Sequence, residues 1–205
     1  MTAPTSPWVG TALKDQGSVN EVLVTKSSDE GKVLMAAAEV FRRKGYTASA
    51  DQDLLTATGI STSQLWSDYQ DKAGLFEAAL SAYVREVVER RLAPLLAPGA
   101  GLEHLRRFLH EGVTGPSALD AAGCLLPTIA SELGAEAPLP LRVTWAEMRE
   151  AFADVLANAG SAAPEEEALA TLGLLQGLLV LRRAGEPLPA LLTAVDRFIA
   201  ALDRG

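Results

Sequence analysis

The chain has 205 residues, of which 48% are hydrophobic, and its formal net charge at pH 7 is −8. This composition excludes a disordered chain, because the apolar content is sufficient for one large core or two modest ones. The acidic balance argues against indiscriminate nucleic-acid binding, since nonspecific affinity comes mostly from neutralising phosphates. The single cysteine, Cys124, excludes an internal disulfide and a cysteine-based zinc cage, and we expect it to be a small buried residue.

The fold class predicted from the residue pattern is all-α. Alanine and leucine dominate, and no segment alternates apolar and polar residues for long enough to indicate a strand. Charged residues or prolines interrupt the apolar stretches before the roughly 18 residues needed to cross a bilayer, and the first residues lack a signal-sequence pattern. We therefore expect a cytoplasmic protein with no membrane contact.

Residues 1–28 contain scattered Pro, Gly, Ser and Thr and are interpreted as an extension before the first domain. Two interpretations remain open for it. The segment is either a loose tail, as chain termini usually are, or an arm anchored on the body of the protein by Trp8.

The first helix is predicted to begin near Ser28 or Asp29 and to end before Gly45. Its last turn carries three basic residues, Arg42, Arg43 and Lys44. They either complement the negative end of the helix dipole or contact DNA phosphates, and the first interpretation is favoured because last-turn cations stabilise any helix.

Two short helices are predicted to follow. The second opens at Ser49 in a Ser-to-Gln capping pattern and stops before Gly59, and the third is capped by Ser61 or Thr62. Leu65, Trp66 and Tyr69 are expected to face inward from the third helix. The outward face is then formed by Thr62, Ser63, Gln64 and Ser67. Three helices in this order have the outline of a helix-turn-helix.

A long fourth helix is predicted from about Asp71 to Pro94, and further amphipathic helices follow. The last two, at about residues 165–183 and 188–203, carry more apolar surface than one packing partner would cover. Such a strip usually marks an oligomer interface, so we predict an isologous homodimer with a four-helix bundle. The alternative is a core that is entirely intramolecular.

These segments resemble a known family, the TetR-family transcriptional regulators. The N-terminal resemblance rests on residues 36–41, Gly45-Tyr46, Gly59-Ile60-Ser61, Leu65-Trp66, Tyr69, Lys72 and Leu75-Phe76, and the C-terminal resemblance on residues 123–126, 132–133, 175–179 and 183–185. It covers about residues 30–203. The domains it implies are an N-terminal extension (1–28), a helix-turn-helix domain (29–72) and a helical ligand-binding and dimerisation domain (73–205).

The resemblance implies a homodimeric regulator, a repressor by the usual logic of the family, whose two recognition helices enter successive major grooves of an operator. A small ligand in the C-terminal domain then changes the separation of the helices. The implied DNA-contacting residues are Ser49, Thr62, Ser63, Gln64, Trp66, Ser67, Tyr69 and Lys72.

The helix-turn-helix departs from the family pattern in its charge. Asp51, Gln52 and Asp68 stand where apolar, basic and His or Tyr residues are common, and Trp66 stands where Tyr is typical. From Asp29 to Leu80 there are eight acidic residues and five basic ones. Two hypotheses follow: a regulator that grips phosphate weakly and reads DNA with neutral side chains, or a TetR-like dimer that has lost DNA binding and serves as a protein- or ligand-binding module.

Enzyme activity is not indicated. His104 and His110 project in different directions from one helix, no nucleotide-binding or hydrolase motif is present, and no cofactor or metal is expected. The two histidines are expected to be surface or helix-capping residues. A ligand site for a small, neutral, apolar molecule is predicted between the C-terminal helices, with Trp145 and Gln176 the foremost candidates for contact. Its expected lining is Leu105, Phe108, Leu109, Cys124, Trp145, Met148, Phe152, Leu172 and Gln176.

Overall fold

A computed structural model of the chain describes residues 20–115 and 123–204, with side chains from residue 29 onward. The described residues form helices joined by turns, without a strand, as the sequence predicts. The α-helices are α1 (Asn20–Lys44), α2 (Asp51–Thr58), α3 (Thr62–Tyr69), α4 (Lys72–Tyr83), α5 (Arg90–Leu92), α6 (Leu102–Thr114), α7 (Leu125–Leu133), α8 (Leu139–Asn158), α9 (Pro164–Arg183) and α10 (Leu188–Leu202). The N-terminal arm with Trp8 and residues 116–122 lie outside the described residues.

The N-terminal domain is built around an aromatic cluster. Phe41 on α1 is fully buried, and its ring centroid lies 4.9 Å from that of Phe76 on α4, while the Tyr46 ring is also 4.9 Å from Phe76. Leu54 from α2 and Leu65 from α3 complete this core. α1 packs on α2 and α4, and α3 packs on α4, so the second and third helices are held against a rigid pair.

The turn between α2 and α3 depends on Gly59, whose φ of 72° lies in the left-handed region. Its backbone N–H donates to the carbonyl of Leu55 and ends α2. Two residues later, Ser61 accepts a hydrogen bond from the backbone N–H of Gln64 and begins α3. This helix stop and start set the angle between the two helices.

The predicted long fourth helix is present, with an interruption. α4 continues into a π-helical segment, Val84–Glu89, before α5 and a 3₁₀ turn at Ala93–Leu96. Pro94 lies in that turn, where the missing N–H and the fixed φ of proline end the α-helical pattern. α4 and its continuation connect the helix-turn-helix to the C-terminal domain.

The C-terminal domain consists of α6 to α10. α8 packs along α9, and α6 packs on α10, α9 and α8. Phe108 and Phe152 meet edge to face at its centre, with ring centroids 5.4 Å apart. Within the described residues, no helix is both long and apolar enough to cross a lipid bilayer.

Two predicted helix starts are wrong. α1 begins at Asn20 and passes through residues 28–30, because Ser, Asp and Glu in a helix interior cost only a few tenths of a kcal/mol each. α2 is capped at Ala50, whose N–H donates to the Asp53 carboxylate, while the Ser49 hydroxyl donates to the carbonyl of Gly45.

Candidate DNA-binding surface and C-terminal cavities

The outer face of α3 carries exposed polar side chains. Thr62, Ser63, Gln64 and Ser67 are all exposed, which confirms their predicted outward orientation. Hydroxyl and amide groups can donate to and accept from base edges and phosphates. This face therefore has the chemistry to read bases without a charge.

Gln64 is partly committed to the start of its own helix. Its Oε1 accepts a hydrogen bond of 2.9 Å from the backbone N–H of Ser61, which completes a capping box. A bidentate contact with adenine uses both the oxygen and the nitrogen of a glutamine amide. Gln64 must therefore leave the capping box to read adenine in this way.

Trp66 projects into solvent, with 62% of its surface exposed, so its predicted inward packing is wrong. The reason is geometric. Leu65 is 3% exposed and faces the core from the eight-residue helix α3. Successive residues of an α-helix are rotated by about 100°, so the next side chain, Trp66, points away from the core. Tyr69, four residues after Leu65, is half-buried, and burial raises the pKa of its hydroxyl. The exposed indole adds an apolar surface to the outer face of α3.

Ser49 does not reach this surface. Its side chain is fully buried and its hydroxyl donates to the carbonyl of Gly45 at 2.6 Å. The predicted DNA contact by Ser49 is therefore wrong for this conformation. The hydroxyl instead satisfies a carbonyl where α1 ends.

The basic residues of the helix-turn-helix domain are engaged within the protein. Arg42 and Arg43 pair with Glu39, Lys44 pairs with Asp53 at 2.7 Å, and Lys32 pairs with Asp29 at 3.0 Å. The hydrogen bond from Lys44 is the main cause that lowers the pKa of Asp53. All three side chains of the basic triplet therefore have acidic partners within the protein.

Lys72, the first residue of α4, is held near the turn between α1 and α2. Its Nζ lies 4.8 Å from the centroid of the Tyr46 ring and 3.4 Å from the carbonyl of Thr47. Both contacts are weak, and the side chain is half-buried beside a helix N-terminus. This location suits a cation that meets a phosphate at the edge of a major groove.

Exposed acidic groups are present on both α2 and α3. Asp51 and Asp68 are exposed, as is the neutral Gln52. Asp68 accepts a hydrogen bond of 2.7 Å from the Ser67 hydroxyl, so a carboxylate is next to a candidate DNA-contacting group. A phosphate approaching Ser67 meets this negative charge.

A polar junction joins the C-terminal domain to the helix-turn-helix domain. The carboxylate of Glu132, on α7, accepts hydrogen bonds from the backbone N–H groups of Tyr46 at 2.7 Å and Thr47 at 2.6 Å. Arg42 donates to the carbonyl of Gly123 at 2.8 Å, and Arg183, at the end of α9, donates to the carbonyl of Arg42 at 3.1 Å. We call this set of contacts the α1–α7 junction. Sequence reasoning missed it, because its partners are more than 80 residues apart.

The predicted ligand residues divide into three groups. Phe108, Cys124, Met148 and Gln176 line a small inner cavity of about 30 Å³. Trp145 and Gln176 line a larger open groove of about 430 Å³ between α7, α8 and α9, here called the α7–α9 groove. It is also lined by Pro127, Ala130, Val180 and Leu181. Leu105, Leu109, Phe152 and Leu172 are buried and line neither space.

A second open space was not anticipated from the sequence. A cleft of about 280 Å³ lies between the end of α4 and the start of α8, beside the π-helical segment. Glu89 and Glu147 are on its wall, and burial raises the pKa of Glu147, with the charges of Glu89 and Glu150 acting in the same direction. The two acidic residues of this cleft are far apart in sequence, so a local sequence pattern could not predict that they lie together.

The histidines are not brought together with each other in a site. The Nδ1 of His104 accepts from the backbone N–H of Gly101 at 3.2 Å, which confirms the predicted helix-capping role. His110 pairs with Asp196 of α10 at 2.9 Å. Within the described residues, no cluster of three His, Cys, Asp or Glu side chains could hold a metal ion.

The fold and the outer face of α3 define an all-α helix-turn-helix protein with a C-terminal helical domain. Solved structures with this architecture include the TetR-family regulator CifR bound to a 26 bp operator, with a TM-score of 0.70, 28% identity, and coverage of 83% of this chain and 95% of that one. A TetR regulator from Chloroflexus aurantiacus aligns with a TM-score of 0.73 and 20% identity over 86% of this chain and 95% of that one. The chain has the fold of TetR-family transcriptional regulators, to which it is similar over most of its length.

Curated relatives are HTH-type transcriptional regulators, and they match the chain over a shorter span. The chain is 36% identical over 88 residues to YezE, an uncharacterised HTH-type transcriptional regulator of Bacillus subtilis. The aligned residues cover 43% of this chain and 45% of that protein. It is 31% identical over 78 residues to ComR, an HTH-type transcriptional repressor of Escherichia coli, covering 38% of this chain and 37% of that protein. The match thus spans less than half the length of these relatives. No protein-family model matches the chain.

Proposed function

We propose that the chain is a ligand-responsive transcriptional regulator that binds operator DNA as a homodimer and represses by occupying its operator. The observation that carries this proposal is the exposed polar face of α3, held by the Gly59 turn and the Ser61 cap in a helix-turn-helix. The similarity to CifR, whose structure contains operator DNA, supports it.

The contact surface favours readout by neutral side chains. Thr62, Ser63 and Gln64 offer donors and acceptors for base edges, and Trp66 offers an apolar face for thymine methyl groups. Lys72 is the candidate phosphate contact, since the other basic residues described between Asp29 and Leu80 have acidic partners. Affinity should therefore depend only weakly on salt, because few counterions are released.

The dimer is proposed to form through α9 and α10. Leu169, Val180 and Leu181 on α9 are 59%, 50% and 48% exposed, and Gly173 and Gly177 lie exposed between them. These five residues, here called the α9 stripe, recur every three or four positions and so share one helix face. A second copy that packs on the α9 stripe would bury apolar surface that is otherwise left in water.

Ligand response is proposed to act through the α1–α7 junction. α7 lines the α7–α9 groove with Pro127 and Ala130 and holds the helix-turn-helix domain with Glu132. A molecule that displaces α7 would therefore move the turn that precedes α2. A small change in the separation of two recognition helices breaks one set of contacts, because half-sites lie about 34–36 Å apart.

A second candidate function is a TetR-like dimer that has lost DNA binding and serves as a protein- or ligand-binding module. Two observations favour it: Asp51 and Asp68 are exposed on the helix-turn-helix domain, and the triplet from Arg42 to Lys44 is paired with carboxylates. Such a surface repels phosphate. The two functions differ in whether the protein forms a sequence-specific DNA complex.

The deciding experiment is fluorescence-anisotropy titration of a duplex from the region upstream of the protein's own coding sequence, measured across salt concentrations against a scrambled duplex. The regulator predicts specific binding with a log–log salt slope shallower than about −5, the value for six phosphate contacts. Gln64→Ala should weaken binding, while Thr114→Ala, whose hydroxyl donates to the carbonyl of His110 on its own helix, should not. No specific complex at low salt, on this duplex or on duplexes selected from random sequence, would favour the module.

A further inference from the structure

Two buried polar atoms in the C-terminal domain lack a hydrogen-bond partner among the described residues. They are the indole Nε1 of Trp145 and the amide Oε1 of Gln176. Most buried polar side-chain atoms in folded proteins are paired, because an unpaired one carries the cost of its lost hydration. An orphaned donor and an orphaned acceptor therefore offer two hydrogen bonds that a bound molecule can complete.

Both residues line the α7–α9 groove, on neighbouring helices. Trp145 comes from α8 and Gln176 from α9, and the open groove between them and α7 has a volume of about 430 Å³. Small-molecule sites commonly have about 300–1,000 Å³ and are mostly apolar with a few polar groups. The groove matches this description, since Pro127, Ala130 and Leu181 are apolar and none of the described residues that line it is ionisable.

The chemistry of the two atoms restricts the ligand. An indole N–H only donates, and an amide oxygen only accepts. Both atoms are buried, so a molecule in the groove reaches them once the two side chains turn toward it. It must then offer one acceptor and one donor, and the described lining gives it no charge to pair with. We propose that the α7–α9 groove binds a neutral, largely apolar molecule that accepts a hydrogen bond from Trp145 and donates one to Gln176, with a secondary amide as the simplest example. This inference rests on the proposed ligand-responsive function and specifies its ligand class.

The partner subunit is the competing occupant, because Gly177, Val180 and Leu181 belong to both the groove and the α9 stripe. In an isologous dimer each copy presents the same stripe to the other. The side chains of that stripe are Leu and Val, with Gly between them, and they offer neither donor nor acceptor. A second copy packed on the stripe can cover the open side of the groove, but the stripe itself gives neither polar atom a side-chain partner.

Occupancy of the groove has a direct route to the helix-turn-helix domain. Pro127 and Ala130 line the groove, and Glu132, one residue before the end of the same helix, holds the backbone of Tyr46 and Thr47. α7 is nine residues long, so one short helix carries both the groove lining and the junction contact. Gln176 also lines the inner cavity beside Cys124, which links both spaces to the start of α7.

The binding test uses full-length ¹⁵N-labelled protein and the indole N–H resonances of Trp8, Trp66 and Trp145, assigned with Trp145→Phe. The probes are acetanilide, benzanilide and N-butylbenzamide, each paired with its N-methylated twin, which lacks the donor. We expect at least one amide to shift the Trp145 resonance and its twin to bind about tenfold or more weakly. No shift up to the solubility limit, or an equal shift by the twins, would overturn the proposal.

Variants separate ligand binding from a structural role. Trp145→Phe and Gln176→Met keep the apolar bulk and remove the donor or the acceptor, so each should weaken binding of the responding amide about tenfold, and Trp66→Phe should not. Gln176→Met should also raise the Tm of the ligand-free protein by about 2–4 °C, because it removes an unsatisfied group. A lower Tm would show that these atoms have partners within the protein. A chemical shift of the Trp145 indole N–H that changes with protein concentration would show partners within the dimer. Either result would refute the inference.

Operator binding is measured on the same samples without probe. Normal operator binding together with no response to any amide refutes the ligand class and leaves the regulator function intact. A Trp145 response in a protein that binds no DNA supports the ligand class and refutes the regulator function. The two failures are therefore distinguishable.

Discussion

Glu132→Gln is the most direct test of the α1–α7 junction. The wild-type carboxylate accepts two backbone N–H groups, from Tyr46 at 2.7 Å and Thr47 at 2.6 Å, with one oxygen for each. Glutamine has one acceptor oxygen and one NH₂ group, so one of the two N–H donors would face another donor. The substitution keeps the size of the side chain and removes half of the contact.

The expected cost follows from these two bonds. Hydrogen bonds to charged groups contribute about 1.5–3 kcal/mol each when buried, and exposed ones contribute less because solvent screens the charge. Glu132 is exposed, so we expect Glu132→Gln to lower the free energy of unfolding by about 1–2 kcal/mol. With a urea m-value of about 2 kcal/mol/M, the midpoint would fall by about 0.5–1 M.

The assay is urea unfolding at pH 7, with Glu136→Gln as the matched control. Glu136 is an exposed carboxylate four residues later, in the turn after α7, and no hydrogen bond or ion pair is described for it. Operator affinity is measured on the same variants with and without a groove ligand, because a weakened junction should reduce the effect of the ligand on DNA binding. Equal midpoints for Glu132→Gln and wild type, with the ligand effect unchanged, would refute the reasoning.

The pH dependence of this difference has a defined sign. Burial acts to raise the pKa of Glu132, but the hydrogen bonds from Thr47 and Tyr46 and the charge of Lys72 outweigh it, so the pKa is lowered. A lowered pKa in the folded state gives stability that is present above the ordinary glutamate pKa of about 4.3 and is lost as the pH falls through the folded-state value. The advantage of wild type over Glu132→Gln should therefore be constant from about pH 7 to 5 and shrink below that.

The remaining predictions concern DNA affinity, assembly and stability. Asp68→Asn should strengthen operator binding about two- to fivefold in anisotropy titrations, since exposed charge pairs contribute about 0.2–1 kcal/mol. Glu77→Gln serves as the control. Unchanged affinity would mean that Asp68 faces away from phosphate. Leu169→Glu with Gly173→Glu should yield monomers in analytical ultracentrifugation, because charges would be buried across the α9 stripe; an intact dimer would place the interface elsewhere. Phe41→Ala should cost about 3–5 kcal/mol in urea unfolding, as expected for a fully buried aromatic side chain. A smaller loss would indicate that the aromatic cluster collapses into the space.

Local pattern was sufficient for most of the helices and for the helix-turn-helix. The predicted last two helices, at about 165–183 and 188–203, correspond to Pro164–Arg183 and Leu188–Leu202. Helical periodicity and the positions of Gly and Pro carry this information within a few neighbouring residues. The same reasoning gave an N-cap to Ser61 or Thr62, and Ser61 is the residue that caps α3.

Residues with two possible partners were the ones that sequence reasoning assigned incorrectly. Ser49 matched a capping pattern and a DNA-contact position, yet its hydroxyl is taken by the carbonyl of Gly45. Trp66 is apolar enough for a core position, but its neighbour Leu65 occupies the buried face and leaves the indole in solvent. The packing of the helices decides which of the possible partners a side chain contacts, and residue type alone does not predict this choice.

The sequence by itself determined the helical fold, the turn that separates α2 and α3, and the polar character of the recognition face, because each depends on neighbours within about one turn of helix. Only the tertiary structure decided which cations are paired, that Glu132 holds the turn before α2, and that Trp145 and Gln176 share one groove. These facts join residues from different helices, and their distances arise when the helices pack. Charge and hydrogen bonding act over a few ångströms in space, so the contacts that govern binding and response appear only in the folded chain.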